Sequence, residues 1–187
     1  MASRMNGFTL VELAATVTVL ATLLMVGLPR LLQLVDRTRT AATFHELRAD
    51  MALARSAALM RRTQVVVCPR DGQQARCRLN GDWGDGWLVF IDPDRDRQPG
   101  SDRDLLSLRP ASASGRARLA LASNRAHLRY QAAGRAAAAN HTLQACARGR
   151  FMGKLVVNNV GRVRSERPRA AAACPFRAGD GRAADSP

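Results

Sequence analysis

The sequence predicts an α+β protein, one long N-terminal helix followed by a head built on antiparallel sheet. Three observations predict it. Residues 8–28 read FTLVELAATVTVLATLLMVGL, an apolar run carrying a single charge, Glu12. From residue 31 to about 62, Phe44, Leu47, Met51, Ala54 and Ala58 recur at helical spacing, while Asp36, Arg37, Arg39, Arg48 and Arg55 occupy other faces. Beyond residue 63 the period shortens to β-like runs punctuated by Gly, Pro, Asn and Asp, and one helix followed by many strands argues for α+β layering. The 187 residues suit one ordinary domain plus an appendage, and an apolar share of 47% excludes global disorder.

The first element is a short polar leader, residues 1–7, with Arg4 its one cation. Residues 8–28 follow as a membrane span, since about 21 helical residues cover the roughly 30 Å hydrocarbon core of a bilayer. Positive charge on the N-terminal side keeps that side in the cytoplasm. Gly27-Leu28-Pro29-Arg30 offers no small-x-small cleavage site, so the span is retained. Residues 29–62 continue the helix as an amphipathic half, with Pro29 expected to kink or loosen it.

The head, residues 63–177, contains strand-like runs at 64–67, 87–91, 105–108, 118–121, 127–130, 142–146, 154–158 and 160–163. The stretch 132–140 (AAGRAAAAN) carries little information, and the tail 178–187 reads as disordered. Four cysteines allow three pairings. Cys68 and Cys77 flank a turn-rich loop that closes easily, which leaves Cys146 to tie Cys174 back to the strand near residue 145. An exported head meets an oxidising compartment, which permits both bonds. No C-x-x-C or C-x-x-H spacing supports zinc. Asp92, Asp94 and Asp96 match the start of a calcium loop, but Arg97 stands where that loop needs Gly and Arg103 where it needs Glu. No metal or other cofactor is expected. His45, His127 and His141 are scattered, and no nucleophile elbow, phosphate loop or paired-carboxylate pattern occurs, so no enzymatic role is expected.

The net charge is +14, carried by 28 Arg and the single Lys154. Residues 1–29 sum to zero, 30–62 to +4, 63–109 to −1, 110–147 to +5, 148–169 to +6 and 170–187 to zero. The surplus is thus a basic block over 110–169, and the last part of it sets Arg148, Arg150, Lys154, Arg162, Arg164, Arg167 and Arg169 against Glu166 alone. In Gly161-Arg162-Val163-Arg164 the two arginines stand two apart, which on a strand places both forks on one face. Such forks suit phosphates of double-stranded DNA in a sequence-independent, salt-sensitive contact. Few aromatics lie nearby, so base stacking is not indicated. The competing explanation is an edge strand guarded by charge against aggregation.

Three motifs carry a resemblance to a known family. Gly7-Phe8-Thr9-Leu10-Val11-Glu12 resembles the type IV pilin signal. The resemblance implies cleavage by a prepilin peptidase between Gly7 and Phe8, N-methylation of Phe8, and pairing of Glu12 with the N-terminal amine of a neighbouring pilin subunit. Trp83, Gly86, Trp87, Val89, Phe90 and Asp92 match the head of the GspH/FimT pseudopilins. Gly161 to Arg164 is similar to the Gly-Arg-x-Arg motif of FimT-type minor pilins, in which it captures DNA during natural transformation. The resemblance implies a type IV pilin-like fold and an inner-membrane protein with a periplasmic head that later joins a fibre. The alternative it implies is a GspH-like minor pseudopilin of type II secretion without a DNA role, or a purely structural priming subunit.

Overall fold

A computed structural model describes residues 9–111, 119–137 and 140–176. A single helix, α1 (Leu10–Arg61), is followed by eight strands: β1 (Val65–Pro69), β2 (Gly86–Ile91), β3 (Leu105–Pro110), β4 (Ala120–Ser123), β5 (Leu128–Tyr130), β6 (His141–Ala147), β7 (Arg150–Val157) and β8 (Val163–Glu166). The chain divides into two units, residues 1–38 and 39–187.

In the first unit α1 exposes Leu10, Val11, Leu13, Val17, Leu20, Leu23 and Met25, as a lipid-facing surface does. Its threonines satisfy themselves locally. Thr16, Thr18 and Thr22 donate their hydroxyls to the carbonyls of Leu13, Ala14 and Val19 at 2.9, 2.7 and 2.8 Å, which removes the cost of a bare hydroxyl in hydrocarbon. The helix runs on through Pro29. It ends at Arg61, because Arg62 takes φ +51, the left-handed conformation that terminates helices.

In the second unit the expected stripe is the core. Leu47, Met51, Ala54 and Ala58 have no exposed surface and Phe44 is 7% exposed; burying Leu47 or Met51 stabilises the head by about 1.5–3 kcal/mol each. Two antiparallel four-stranded sheets meet this stripe, one in the order β3-β2-β1-β5 and the other β4-β6-β7-β8. Val65, Val67, Trp87, Val89, Leu128 and Tyr130 face it from the first sheet, and Leu121, Leu143, Ala145, Leu155 and Val157 from the second. The other face of the first sheet is covered too: Val66, Leu88 and Phe90 pack with the Cys68–Cys77 disulfide. That explains why β1 and β2 are buried at every position and read as apolar runs without alternation. The outer face of the second sheet carries a smaller cluster of Ala122, Cys146 and Phe176, tied by the Cys146–Cys174 disulfide. The two bonds close loops of 9 and 28 residues, worth roughly 2.5–3.5 kcal/mol each on a loop-entropy estimate.

Three polar placements hold the layers in register. Asp50, on the helix and 3% exposed, accepts from the Trp87 indole at 2.8 Å and from Arg109 Nε at 3.1 Å, which pins α1 to β2 and β3. Trp83 Nε1 donates to Ser123 Oγ at 2.8 Å, joining the loop before β2 to β4. Gly86 sits at φ +97, and a Cβ there would stand 2.0 Å from the Arg109 carbonyl, so only glycine lets β2 and β3 approach. The periodicity misplaced the last hairpin. Strands expected at 154–158 and 160–163 are instead Arg150–Val157 and Val163–Glu166, because Asn158 to Gly161 form the turn between them, with Gly161 N–H donating to the Asn158 carbonyl at 2.9 Å.

Replacing Asp50 with Ala strands a buried indole N–H and frees Arg109, and should lower head stability by about 1–3 kcal/mol, measured by chemical denaturation followed through tryptophan fluorescence. A second test uses pH. His141 is buried against the edge of Trp83, and burial, with help from Arg125 and His127, pushes its pKa down to about 3. Above the ordinary value of 6.5 both folded and unfolded states are neutral. Below it only the unfolded chain takes up the proton, so stability should fall as pH drops from 6.5 towards 3. The variant His141→Phe should flatten that slope; an unchanged slope would contradict the assignment.

Candidate nucleic-acid interface

The basic residues of the C-terminal block are laid out by two hairpins. β6 and β7 are joined by the two-residue turn Arg148-Gly149, both at positive φ. β7 and β8 are joined at the opposite end of the sheet by residues 158–162, and β7 is eight residues long, so the two turns lie about 25 Å apart. Arg148 and Arg150 therefore stand at one end and Arg162 at the other; they do not converge. The segment after β8 connects them. It runs back beside β7 until Phe151 N–H donates to the Ala172 carbonyl and Cys174 N–H to the Gly149 carbonyl, each at 2.9 Å, where the Cys146–Cys174 disulfide anchors it. Arg162, Arg164, Arg167 and Arg169, all exposed, follow one another along this edge.

Arg162 itself lies one residue before β8, so the strand-face argument for the pair Arg162 and Arg164 needs correction: Arg162 belongs to the turn. Its N–H donates to Asn158 Oδ1 at 2.8 Å and its carbonyl accepts from Asn158 N–H at 3.1 Å. Both arginines are nevertheless exposed, with Val163 between them packed on the main core. Charge compensation is uneven. Glu166 lies 2.9 Å from Arg164 Nε and 3.4 Å from Lys154 Nζ, so one carboxylate partly neutralises both. Arg150, Arg162, Arg167 and Arg169 have no acidic partner among the described residues, whereas in the near-neutral middle of the chain Arg78 alone engages Asp71, Asp82 and Asp85 at 3.4, 3.0 and 2.6 Å.

The turn is shaped by Gly161. It holds φ +84, and a Cβ there would stand 2.8 Å from the Gly134 carbonyl, 3.1 Å from the Tyr130 ring and 3.4 Å from Arg55 Nε. Ala136 N–H donates to the Asn159 carbonyl at 3.1 Å, so the loop following β5 is sewn to the turn preceding β8. Arg55 and Arg135, absent from the sequence-level list, are thereby brought beside the Gly-Arg-x-Arg motif. Arg135 lay inside the alanine-rich 132–140 stretch, and the only hint of it was the +5 summed over 110–147. Along the same β5 edge, burial together with Arg97, Arg129 and Arg125 lowers the His127 pKa to about 4, a sign of local positive potential.

The family is decided by sequence. The model of the family described as type II transport protein GspH matches residues 43–161, well over half of the chain. The chain belongs to the GspH family. The fold agrees: two crystal forms of the type IV minor pilin FimU from Pseudomonas aeruginosa PAO1 superpose with TM-scores of 0.56 and 0.50, each at 20% identity, covering 75% and 70% of this chain and 98% and 95% of theirs. No curated protein matches the chain in sequence. Family and fold together support a minor pilin or pseudopilin role, and the apolar N-terminal helix fits a membrane-anchored pilus component. The GspH match stops at Gly161, short of Arg162, Arg164, Arg167 and Arg169.

Of the signal residues, Gly7 and Phe8 lie outside the described residues, as do the leader and the tail 178–187. Glu12 is placed. Its N–H donates to Thr9 Oγ1 at 3.3 Å and its carboxylate accepts from Thr9 N–H at 3.4 Å, a reciprocal capping box that the Thr9-x-x-Glu12 spacing could have announced. In the acidic loop the carboxylates of Asp92, Asp94 and Asp96 lie within 4.8 Å of one another, but they serve the loop. Asp92 is buried and accepts from Gln64 Nε2 and Arg97 N–H, and Asp96 accepts from Gln98 N–H. Gln98 in turn clamps the backbone of Cys77 through both its amide atoms, at 2.9 and 3.2 Å.

If Gly161 shapes the turn, Gly161→Ala must push the loop at Gly134 away while leaving every arginine in the sequence. It should cost on the order of 1–3 kcal/mol of head stability, read by thermal unfolding; a variant as stable as the parent would contradict this role for Gly161.

Proposed function

We propose that the protein is a minor type IV pilin that binds double-stranded DNA along the basic edge of its second sheet, for DNA uptake in natural transformation. On this reading a prepilin peptidase cleaves after Gly7 and Phe8 is methylated. Residues 8–28 hold the subunit in the inner membrane with its head in the periplasm, and Glu12 meets a neighbouring subunit's amine as the pilus grows. The observation that carries the DNA role is the run of exposed arginines at 162, 164, 167 and 169 facing a single carboxylate. Uncompensated guanidinium groups in a row repel one another and gain most from a polyanion. The phosphate backbone supplies one negative charge per about 1.7 Å of duplex axis, enough to meet all of them on an edge of this length.

The second reading is a GspH-like pseudopilin that helps build a secretion pseudopilus. The family match is equally consistent with it. Duplex binding separates the two. Full-length processed protein in non-ionic detergent should bind labelled duplex without sequence preference, and log affinity should fall with log salt by about 0.9 per phosphate contacted. Arg162→Ala should weaken binding more than Arg164→Ala, because Arg164 is already shared with Glu166. By the same argument Glu166→Gln should tighten binding by roughly two- to fivefold, the worth of an exposed ion pair released. No binding at low salt leaves the secretion reading standing.

A further inference from the structure

The strongest unexplained feature of the head is where its two sheets meet. β5 is the last strand of one sheet and β8 the last strand of the other. The loop after β5 and the turn before β8 are joined backbone to backbone through Ala136 N–H and the Asn159 carbonyl and through the close approach of Gly134 and Gly161. Each of these glycines is followed directly by an exposed arginine, Arg135 and Arg162. A third, Arg55, arrives from the helix and passes its Nε beside Gly161. The backbones that carry Arg135 and Arg162 are thus neighbours, Arg55 Nε lies beside the same turn, and among the described residues none of the three has an acidic partner. Arg135 is on an exposed loop and Arg162 on an exposed turn, while Arg55 is half-buried against that turn.

Resting on the DNA-binding reading above, we propose that Arg55, Arg135 and Arg162 form one clamp for a backbone phosphodiester at the junction of β5 and β8, the primary contact of the protein with the duplex. Guanidinium forks arriving from different directions can satisfy several oxygens of one phosphate at once. The clamp also gives Gly161 and Gly134 a common purpose, since their contact sets the separation of Arg135 and Arg162. The arginines farther along the edge then add weaker, sliding contacts to the neighbouring phosphates.

The test uses full-length protein in non-ionic detergent and a fluorescent duplex, followed by anisotropy from about 50 to 200 mM salt. Arg135→Ala, an exposed change that leaves the core untouched, should weaken binding by roughly tenfold, in line with loss of one charge-assisted contact. It should flatten the salt slope by less than about 0.9, because the other two arginines still hold the same phosphate. Arg55→Gln should do the same, while Arg103→Ala in the acidic loop should do neither. Because the clamp holds one phosphate, the double variant with Arg135→Ala and Arg162→Ala should lose less than the product of the two single losses. Two outcomes overturn the clamp and spare the DNA reading: Arg135→Ala binding like the parent while Arg162→Ala is weakened, or single losses that multiply cleanly. No duplex binding by the parent at low salt would overturn both.

Discussion

Each of the eight strands contributes at least one side chain to the core that a single stripe of α1 closes, and the rest of the head depends on that burial. Neither sheet has an apolar face of its own large enough to stand alone. Four-stranded antiparallel sheets need a cover, and the helix covers both. The stripe is not purely apolar. Asp50 interrupts it and takes the Trp87 indole and Arg109, so the helix is fixed in rotation and in height against β2 and β3. A featureless apolar stripe can slide by a turn at little cost, whereas a buried carboxylate with two donors has one place where it is satisfied.

Much of this was legible because burial writes itself into periodicity. The stripe from Phe44 to Ala58 and the eight strand-like runs follow from spacing alone, and the runs at β1 and β2 lack alternation for a physical reason, cover on both faces. What spacing does not encode is pairing between distant polar groups. Nothing in the spacing singles out Asp50, whose partners lie 37 and 59 residues away. The last hairpin was misread because Val160-Gly161-Arg162-Val163 has a strand-like composition, while the backbone there is governed by the side chain of Asn158 and the positive φ of Gly161. The nearness of Arg55 and Arg135 to the Gly-Arg-x-Arg turn was invisible for a related reason. They matter only through a contact between two glycines, and a glycine's neighbours leave no trace in its own identity.

The two disulfides have different consequences for the surface. Cys68–Cys77 stiffens a loop that covers the first sheet, and Gln98 extends the same brace to the acidic segment. Cys146–Cys174 holds down the segment that returns from β8 to Arg150. Without that tether the chain after Glu166 has few apolar anchors, Phe176 being the buried one, and Arg167 and Arg169 would not be kept in line with Arg162. A covalent bond thus does for the basic edge what a buried side chain does for the core.

Charge on an edge strand has an ordinary explanation, protection against pairing with another chain, and Arg164, Arg167 and Arg169 stand where that explanation applies. It does not suffice at the junction of the sheets. Arg55 comes from the helix and Arg135 from a loop, and neither guards a row of open backbone groups. Protection also has no use for concentration, since charges spread along an edge repel a neighbour as well as charges gathered at one point and cost less to assemble. In the middle of the chain, by contrast, Arg78 is surrounded by three carboxylates. Leaving three uncompensated together, beside a turn held open by glycine, is the arrangement a phosphate completes.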